Sequence, residues 1–321
     1  MAVYTEVTDE ALEAFLADYD IGTLVAFRGI AEGVENSNYS LRTTGGDFIL
    51  TLYEKRVNPE ELPWFLGLME HLARHRLVCP LPVHGRDGSA LRGLCGRQAA
   101  ITTFLPGVWP RRVRQSHCGP VGTTLATLHT AGAGYAPRRV NALGPDSWAP
   151  LLNRCRARAR ADEVQAGLEW QLDAALGTIL EAWPTGLPDG HIHADMFPDN
   201  VFFLGDQVSG VIDFYFAATD LLAYDIAVCL NAWCFEADFS FNVTKSRALL
   251  AGYQSVRRLT AAEKAALPVL CQGAAMRFLL TRLFDWLNTP PGALVTRKDP
   301  LEYLRRLRFH LSATDGGAYG L

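Results

Sequence analysis

The sequence lacks the features that mark several large classes of protein. Its 34 acidic residues outnumber 30 basic ones, so there is no positive field for generic nucleic-acid binding. No CxxC pair occurs among seven cysteines, which excludes a disulfide framework or zinc knuckle and indicates free thiols in a reducing compartment. The first residues lack the basic and apolar regions of a secretory signal, and polar residues interrupt the most apolar stretches, 221–235 and 265–287. We expect a soluble, cytoplasmic protein without a membrane or nucleic-acid partner.

The apolar content is sufficient for two folded domains. Hydrophobic residues make up 49% of the 321, enough for two cores at roughly 150 residues per domain. Residues 1–105 favour a β-rich lobe, with a hairpin over 39–54, a helix that begins at Asn58 and a second hairpin around 86–88. After a hinge at Pro106-Gly107, residues 106–321 favour a larger helical lobe. We therefore predict an α+β fold of two lobes, and ligand sites commonly lie between such lobes.

The second lobe contains one short β insert among its helices. The insert consists of 199–204 and 207–213, joined at a Gly205-Asp206 turn. The helices that we expect are 116–131, 147–159, 163–182, 220–235, 244–257, 261–287 and 299–311.

The chemistry-bearing residues cluster around this insert. Asp195 and Asn200 stand in the run His-Ala-Asp-Met-Phe-Pro-Asp-Asn, and Asp213 ends the insert. Phosphoryl transfer needs a carboxylate that positions the attacking hydroxyl and hard oxygen ligands that hold Mg²⁺ on the nucleotide phosphates. Asp195 suits the first role, and Asn200 and Asp213 suit the second. The ends of a hairpin are neighbours, so this spacing is mechanically sensible.

Two other interpretations of the same run remain open. The His-x-His-x-Asp pattern at His191 and His193 also occurs in metallohydrolases, where two imidazoles bind zinc or iron. That interpretation needs further ligands, and the only later histidine is His310. A structural loop without chemistry is the second alternative. We expect His193 to support the acidic loop beside Asp195.

The run from 190 to 200 followed by Val211-Ile-Asp-Phe, behind a β-rich lobe, resembles the aminoglycoside-phosphotransferase and choline-kinase superfamily. The segment Glu35-Asn-Ser-Asn-Tyr39 and the run 220–233 are similar to the kinase-like homoserine kinases within it. The resemblance covers about residues 1–311. It implies a two-lobed protein-kinase-like fold, direct transfer of the γ-phosphoryl of ATP to the hydroxyl of L-homoserine, and Mg²⁺ as cofactor. Other small alcohols, namely choline, ethanolamine, an aminoglycoside or methylthioribose, are alternative substrates.

The resemblance also implies roles for individual residues. Asp195 would be the catalytic base with His193 beside it, and Asn200 and Asp213 would hold Mg²⁺. A loop of the first lobe would cover the phosphates of ATP, and the strand before the hinge would pair with adenine. The residues implied in binding ATP are Gly33, Asn36, Ser37, Asn38, Thr51, Lys55, Thr102 and Phe104.

One position departs from the kinase pattern. Kinases of this shape carry on the third strand a lysine that binds the phosphates, and here that position holds Thr51. Lys55 on the same face and Arg42 on the neighbouring strand are the candidate replacements. The glutamate that pairs with such a lysine has three candidates: Glu60, Glu61 and Glu70. A nucleotide-binding protein without catalysis is therefore a further alternative.

The sequence offers three candidates for substrate binding. Arg282 lies on an apolar helix face, so it needs a partner, which is either the substrate carboxylate or a salt bridge to Asp225 or Asp285. Asp225 lies in an apolar helix, where the resemblance favours a role in bracing the catalytic loop. Trp233 is expected beside the cleft, where aromatic rings can contact an ammonium group.

Overall fold

The computed structural model describes residues 4–30, 36–54, 58–158, 161–289 and 297–321. The chain divides into two compact units: Met1–Gly107 with Ser209–Tyr215, and Val108–Val208 with Phe216–Leu321. Segment 209–215, which we had placed in the helical lobe, belongs to the first unit. It is held there by Val211, whose N–H donates to the carbonyl of Val78, and by a 2.7 Å hydrogen bond between the hydroxyls of Tyr215 and Tyr53.

An antiparallel sheet of five strands, in the order β1-β2-β3-β5-β4, organises the first unit. Alternate residues of the central strands, such as Leu41, Leu50 and Ile101, are fully buried on one face. The helix α1, which Thr8 caps, packs its buried Leu12 into the same core. The bounds are α1 Asp9–Leu16, β1 Leu24–Gly29, β2 Ser37–Thr43, β3 Gly46–Tyr53, β4 Arg92–Leu94 and β5 Arg97–Thr103.

The helix after β3 begins as its sequence predicts. Asn58 accepts from the backbone N–H of Glu60, and Pro59 opens a short 3₁₀ turn that runs into α2, Leu62–Arg74. Apolar residues of α2, among them Phe65, Met69 and Leu72, are buried. The hairpin predicted around 86–88 is a turn that joins no two strands of the sheet. The strands β4 and β5 meet at Cys95 and Gly96, which both have positive φ, as a tight two-residue hairpin requires.

Helices dominate the second unit. Their bounds are α3 Gln115–Gly132, α4 Pro145–Arg158, α5 Leu168–Glu181, α6 Leu222–Trp233, α7 Val243–Gln254, α8 Ala261–Asn288 and α9 Leu301–Ser312. A capping box between Thr260 and Glu263 starts α8. Among the described residues α8 alone has the length and apolar composition to cross a membrane, but its most apolar window is 72% buried inside the protein. That burial is typical of a core helix.

Two small sheets position residues 193–200, the run that contains Asp195 and Asn200. The strands β6 Asp189–Ile192 and β9 Ala218–Leu221 pair antiparallel, and the sequence had not predicted them. The strands β7 Val201–Leu204 and β8 Gln207–Val211 form the predicted β insert, and the division between the units falls within β8. Residues 193–200 therefore connect the end of β6 to the start of β7.

Candidate active site

The loop between β6 and β7 brings Asp195 and Asn200 together. The Nδ2 group of Asn200 donates to the backbone carbonyl of Asp195 at 2.8 Å and to its Oδ2 at 3.1 Å. A 3₁₀ turn at Pro198–Asn200 brings Asn200 back toward Asp195. The Asp195 side chain is 18% exposed, so its carboxylate is held but accessible.

The buried carboxylate of Asp225 on α6 supports this loop through hydrogen bonds. Its carboxylate accepts from the backbone N–H of His193 at 2.7 Å, from that of Ala194 at 2.9 Å and from Nε2 of His129 at 3.1 Å. Burial alone would raise the pKa of Asp225, but the hydrogen bonds from His129 and the loop hold that pKa below its usual value. Asp225 therefore remains a charged anchor within an apolar helix.

His193 supports Asp195 from inside the loop. Its ring is fully buried, and Nδ1 accepts from the backbone N–H of Asp195 at 3.2 Å. His191 points elsewhere and contacts the carbonyl of Tyr135 through Nε2 at 2.7 Å. The two imidazoles have different partners, and no group of three His, Cys, Asp or Glu that could hold a metal occurs in the part of the chain described here. This geometry does not favour the metallohydrolase interpretation.

Arg277 on α8 was not among the candidates from the sequence. It is 4% exposed, its Nη1 donates to the carbonyl of Ala194 at 3.2 Å, and the same atom lies 3.5 Å from Oδ1 of Asp195. Burial raises the pKa of Asp195, and the charge of Arg277 is the largest influence that opposes the rise. A cation inside an apolar helix was the signal that could have revealed Arg277.

The oxygen atoms proposed for Mg²⁺ lie in different units. Asn200 turns its Nδ2 toward Asp195, which leaves the Oδ1 side of the amide for a cation. Asp213 is exposed and has φ +64°, a left-handed conformation two residues after the end of β8 in the first unit. Hard amide and carboxylate oxygens fit Mg²⁺, which takes its remaining ligands from phosphates and water. Oxygen atoms of these two kinds suit Mg²⁺ better than zinc.

Three of the candidate ATP-binding residues share one face of the first unit's sheet. Asn38 is opposite Thr51 in the β2–β3 register, and Thr102 is opposite Ile49, two residues from Thr51. This face is opposite to the core that packs on α1. The Oγ1 of Thr51 donates to Oδ1 of Asn38 at 2.8 Å, so the position expected to carry a lysine forms a neutral hydrogen bond.

The remaining ATP-binding candidates differ in their surroundings. Asn36 accepts from the backbone N–H of Glu54, and fully buried Ser37 bonds to the Glu54 carboxylate and to two backbone N–H groups of the amino-terminal segment. These two side chains tie the start of β2 to the end of β3 rather than lying open to a ligand. Phe104 follows β5 and is 47% exposed. Gly33 and Lys55 lie outside the described residues.

Two of the residues considered for the missing lysine's role, Arg42 as its replacement and Glu70 as its acidic partner, are engaged with other groups. Exposed Arg42 pairs with Asp47 at 2.7 Å, which occupies one of the two candidate cations. Glu70 on α2 binds His84 and Arg74. Among the described residues, neither Arg42 nor a lysine therefore forms an ion pair with Glu70.

The three substrate-binding candidates have internal partners, which corrects their interpretation. Arg282 pairs with Glu302 at 2.7 Å and not with Asp225 or Asp285. Trp233 is fully buried, and its Nε1 donates to the carbonyl of Met196 at 2.8 Å, so its ring supports the catalytic loop. The Asp225 side chain has no exposed surface, and the loop and His129 use its oxygens. Burial removes Trp233 and Asp225 from contact with a substrate.

Curated relatives match the chain from end to end. A homoserine kinase of Granulibacter bethesdensis is 74% identical over 321 residues, covering 100% of both chains. A homoserine kinase of Acidiphilium cryptum is 70% identical, again over 100% of both chains.

Solved structures with low sequence identity share the fold. A microcompartment-associated aminopropanol kinase has a TM-score of 0.71 at 19% identity and covers 94% of this chain and 96% of its own. The amicoumacin kinase hAmiN has a TM-score of 0.70 at 14% identity and covers 96% and 94%. These likenesses confirm the predicted α+β kinase-like fold. The family model of the phosphotransferase enzyme family matches residues 26–259, and with the relatives above it shows that the chain belongs to that family, as an enzyme of the homoserine kinase group.

Proposed function

We propose that the enzyme transfers the γ-phosphoryl group of ATP to the hydroxyl of L-homoserine and forms O-phospho-L-homoserine for threonine synthesis. The observation that carries the proposal is the 74% identity to a homoserine kinase over the full length of both chains. The pairing of Asp195 with Asn200 supports the same chemistry. All seven cysteines are free thiols, and we place the reaction in the cytoplasm, where thiols stay reduced.

In the proposed mechanism Asp195 orients the attacking hydroxyl and accepts its proton. Asn200 already binds Oδ2, so Oδ1 is the atom that meets the alcohol. Burial raises the pKa of Asp195, which makes its carboxylate a better proton acceptor. The hydroxyl oxygen forms the new bond to phosphorus while the bond to ADP breaks, without a covalent enzyme intermediate.

The proposed ATP site uses the sheet face that carries Asn38, Thr51 and Thr102. The hydroxyl and amide groups of these side chains can bind polar atoms of a nucleotide. We assign the Mg²⁺ ligands to Asn200 and Asp213. When bound there, Mg²⁺ would neutralise charge on the phosphates.

The test is ADP release from MgATP with a panel of alcohols: L-homoserine, choline, ethanolamine, methylthioribose and kanamycin. We expect turnover with L-homoserine. Asp195→Ala should abolish turnover and keep ATP binding, because its carboxylate meets the alcohol. Asp213→Ala should instead lose the Mg²⁺-dependent part of nucleotide affinity, measured by calorimetry.

Each other outcome has a defined meaning. Turnover with a different alcohol would retain the mechanism and reject homoserine as the substrate. Near-normal kcat in Asp195→Ala would reject Asp195 as the base. If no alcohol of the panel gives ADP release although ATP binds, the protein is a nucleotide-binding protein without this catalysis. The absence of a lysine at the position of Thr51 would then explain the result.

A further inference from the structure

An arginine occupies an unusual position in the longest helix of the protein. Arg277 lies within α8, whose surrounding residues Ala275, Met276 and Leu279 are fully buried. A buried cation is costly unless opposite charge and hydrogen bonds compensate for its lost hydration. The contacts of Arg277 should therefore show why it is there.

Those contacts are directed at the catalytic loop. Nη1 donates to the carbonyl of Ala194 and lies 3.5 Å from Oδ1 of Asp195. The ring of Phe278 lies 3.8 Å from the guanidinium carbon, and the ring of Phe216 lies 5.3 Å from it. Two aromatic faces thus restrict the plane of the guanidinium, and a carboxylate and a carbonyl supply the negative charge.

Two side chains hold the loop at one residue, Ala194. Ala194 has φ +61°, a strained backbone conformation for a residue with a Cβ, so its surroundings must hold it there. Asp225 on α6 accepts its N–H, and Arg277 on α8 binds its carbonyl. A negative and a positive side chain therefore hold the N–H and the C=O of the residue that precedes Asp195.

The longer contact leaves the Asp195 carboxylate free to react. A charge-assisted hydrogen bond is about 2.7–2.9 Å long, so 3.5 Å is an ion pair without a tight bond. Oδ2 is occupied by Asn200, and Oδ1 keeps the capacity to accept from an alcohol. Arg277 therefore lies close enough to attract Oδ1 without occupying it.

We propose that Arg277 is a positioning residue for Asp195, which fixes the loop through the Ala194 carbonyl and aims Oδ1 at the substrate hydroxyl. The inference rests on the proposed phosphoryl transfer to an alcohol. A misplacement of about 1 Å can cost roughly 100-fold in rate. Loss of Arg277 should therefore lower kcat and spare the binding of ATP.

The experiment compares Arg277→Gln and Arg277→Lys with a matched control, Arg306→Gln. Arg306 on α9 also donates to a backbone carbonyl, that of Asn231, and its guanidinium lies over two aromatic rings. Among the described residues, none of these contacts of Arg306 is with the loop 193–200. We expect Arg277→Gln to lower kcat about 100-fold with the KM for ATP within about threefold of the parent. Arg277→Lys should recover about tenfold, and Arg306→Gln should keep kcat within about threefold.

A double variant separates positioning from a general loss of structure. In an Asp195→Asn background, Arg277→Gln should lower the residual rate no further, because two residues that act as one unit are not additive. A folded Arg277→Gln with kcat within threefold of the parent, or full additivity in the double variant, would overturn the proposal. If Arg277→Gln does not fold, Arg277→Lys decides: kcat about tenfold down at unchanged KM for ATP supports the proposal, and unchanged kcat overturns it.

The same assay keeps the two hypotheses distinguishable. Turnover by the unmodified enzyme tests the proposed function, and the ratio of variant to parent tests Arg277. If the enzyme phosphorylates a different alcohol, that alcohol replaces homoserine and the test of Arg277 is unchanged. If it phosphorylates none, the proposed function fails and this inference fails with it.

Discussion

The buried carboxylate of Asp225 holds the backbone of the loop 193–200 at two consecutive residues. Asp225 is stable as an anion in an apolar helix only because three donors face it, two of them backbone N–H groups of His193 and Ala194. The hydrogen bonds compensate for the buried charge, and the buried charge in turn fixes two consecutive residues before Asp195. Removing that charge should affect both stability and rate.

We predict that Asp225→Asn lowers the free energy of unfolding by about 3 kcal/mol and kcat at least tenfold. The Asn amide offers one acceptor oxygen, so its Nδ2 group meets donors of the loop that then lose their partner. Urea unfolding and steady-state kinetics measure the two effects. Asp238→Asn is the control, because exposed Asp238 also accepts from a backbone N–H, that of Ser240, and should change stability by less than about 0.5 kcal/mol. Equal effects of the two substitutions would contradict the prediction.

At the scale of elements, local signals explain which parts of the fold were predictable. The helices and the β insert follow from periodicity, caps and a Gly205-Asp206 turn, all of which lie close together in the sequence. The pair β6 and β9 carries no such signal, because each has four residues and 25 residues separate Ile192 from Ala218. Asp195 and Asn200 were predictable because their chemistry and their spacing are local.

Replacing a helical glycine by alanine should raise or lower the free energy of unfolding according to what packs around it. In α8 a Cβ at Gly273 would overlap the ring of Trp183 and lie 2.7 Å from Trp148, whereas nothing lies within 4 Å of a Cβ at exposed Gly177 in α5. Helix propensity favours alanine over glycine by about 1 kcal/mol at both sites. We expect Gly177→Ala to stabilise by about 0.5–1 kcal/mol and Gly273→Ala to destabilise by about 1–3 kcal/mol, since the fully buried ring of Trp148 cannot easily move away from the added methyl group.

Thermal and urea unfolding of the two glycine variants measure that difference directly. Both substitutions add one methyl group to a helix interior, so each serves as the control for the other. A stabilised Gly273→Ala would show that the two tryptophans can give way.

At the scale of the whole molecule, partners that are distant in sequence decide what each polar residue does. Arg282 was expected to pair with the substrate or with Asp225 or Asp285, and it pairs with Glu302 from another helix. The sequence showed that an arginine on an apolar helix face needs a partner, but only the packing of α8 on α9 determines which one. Arg277 escaped prediction for the same reason, because its partners in the loop are more than 80 residues away.

A buried histidine on α9 should make the stability of the protein depend on pH. His310 on α9 is fully buried between Asn231 and the hydroxyl of Tyr319, and burial together with the nearby charge of Arg306 lowers its pKa to about 3. In the unfolded chain the imidazole of His310 takes up a proton near pH 6.5, whereas in the folded protein it stays neutral at that pH. The free energy of unfolding therefore falls as the pH falls through 6.5.

For this histidine we predict a loss of about 2 kcal/mol between pH 8 and pH 5, from about 1.4 kcal/mol per pH unit over the interval from 6.5 to 5. Urea unfolding at the two pH values measures the loss. His310→Gln should reduce this pH dependence by about the same amount, because glutamine cannot take up the proton, whereas replacement of exposed His75 by Gln should leave it unchanged. An identical dependence in His310→Gln and the parent protein would mean that other groups cause the acid sensitivity.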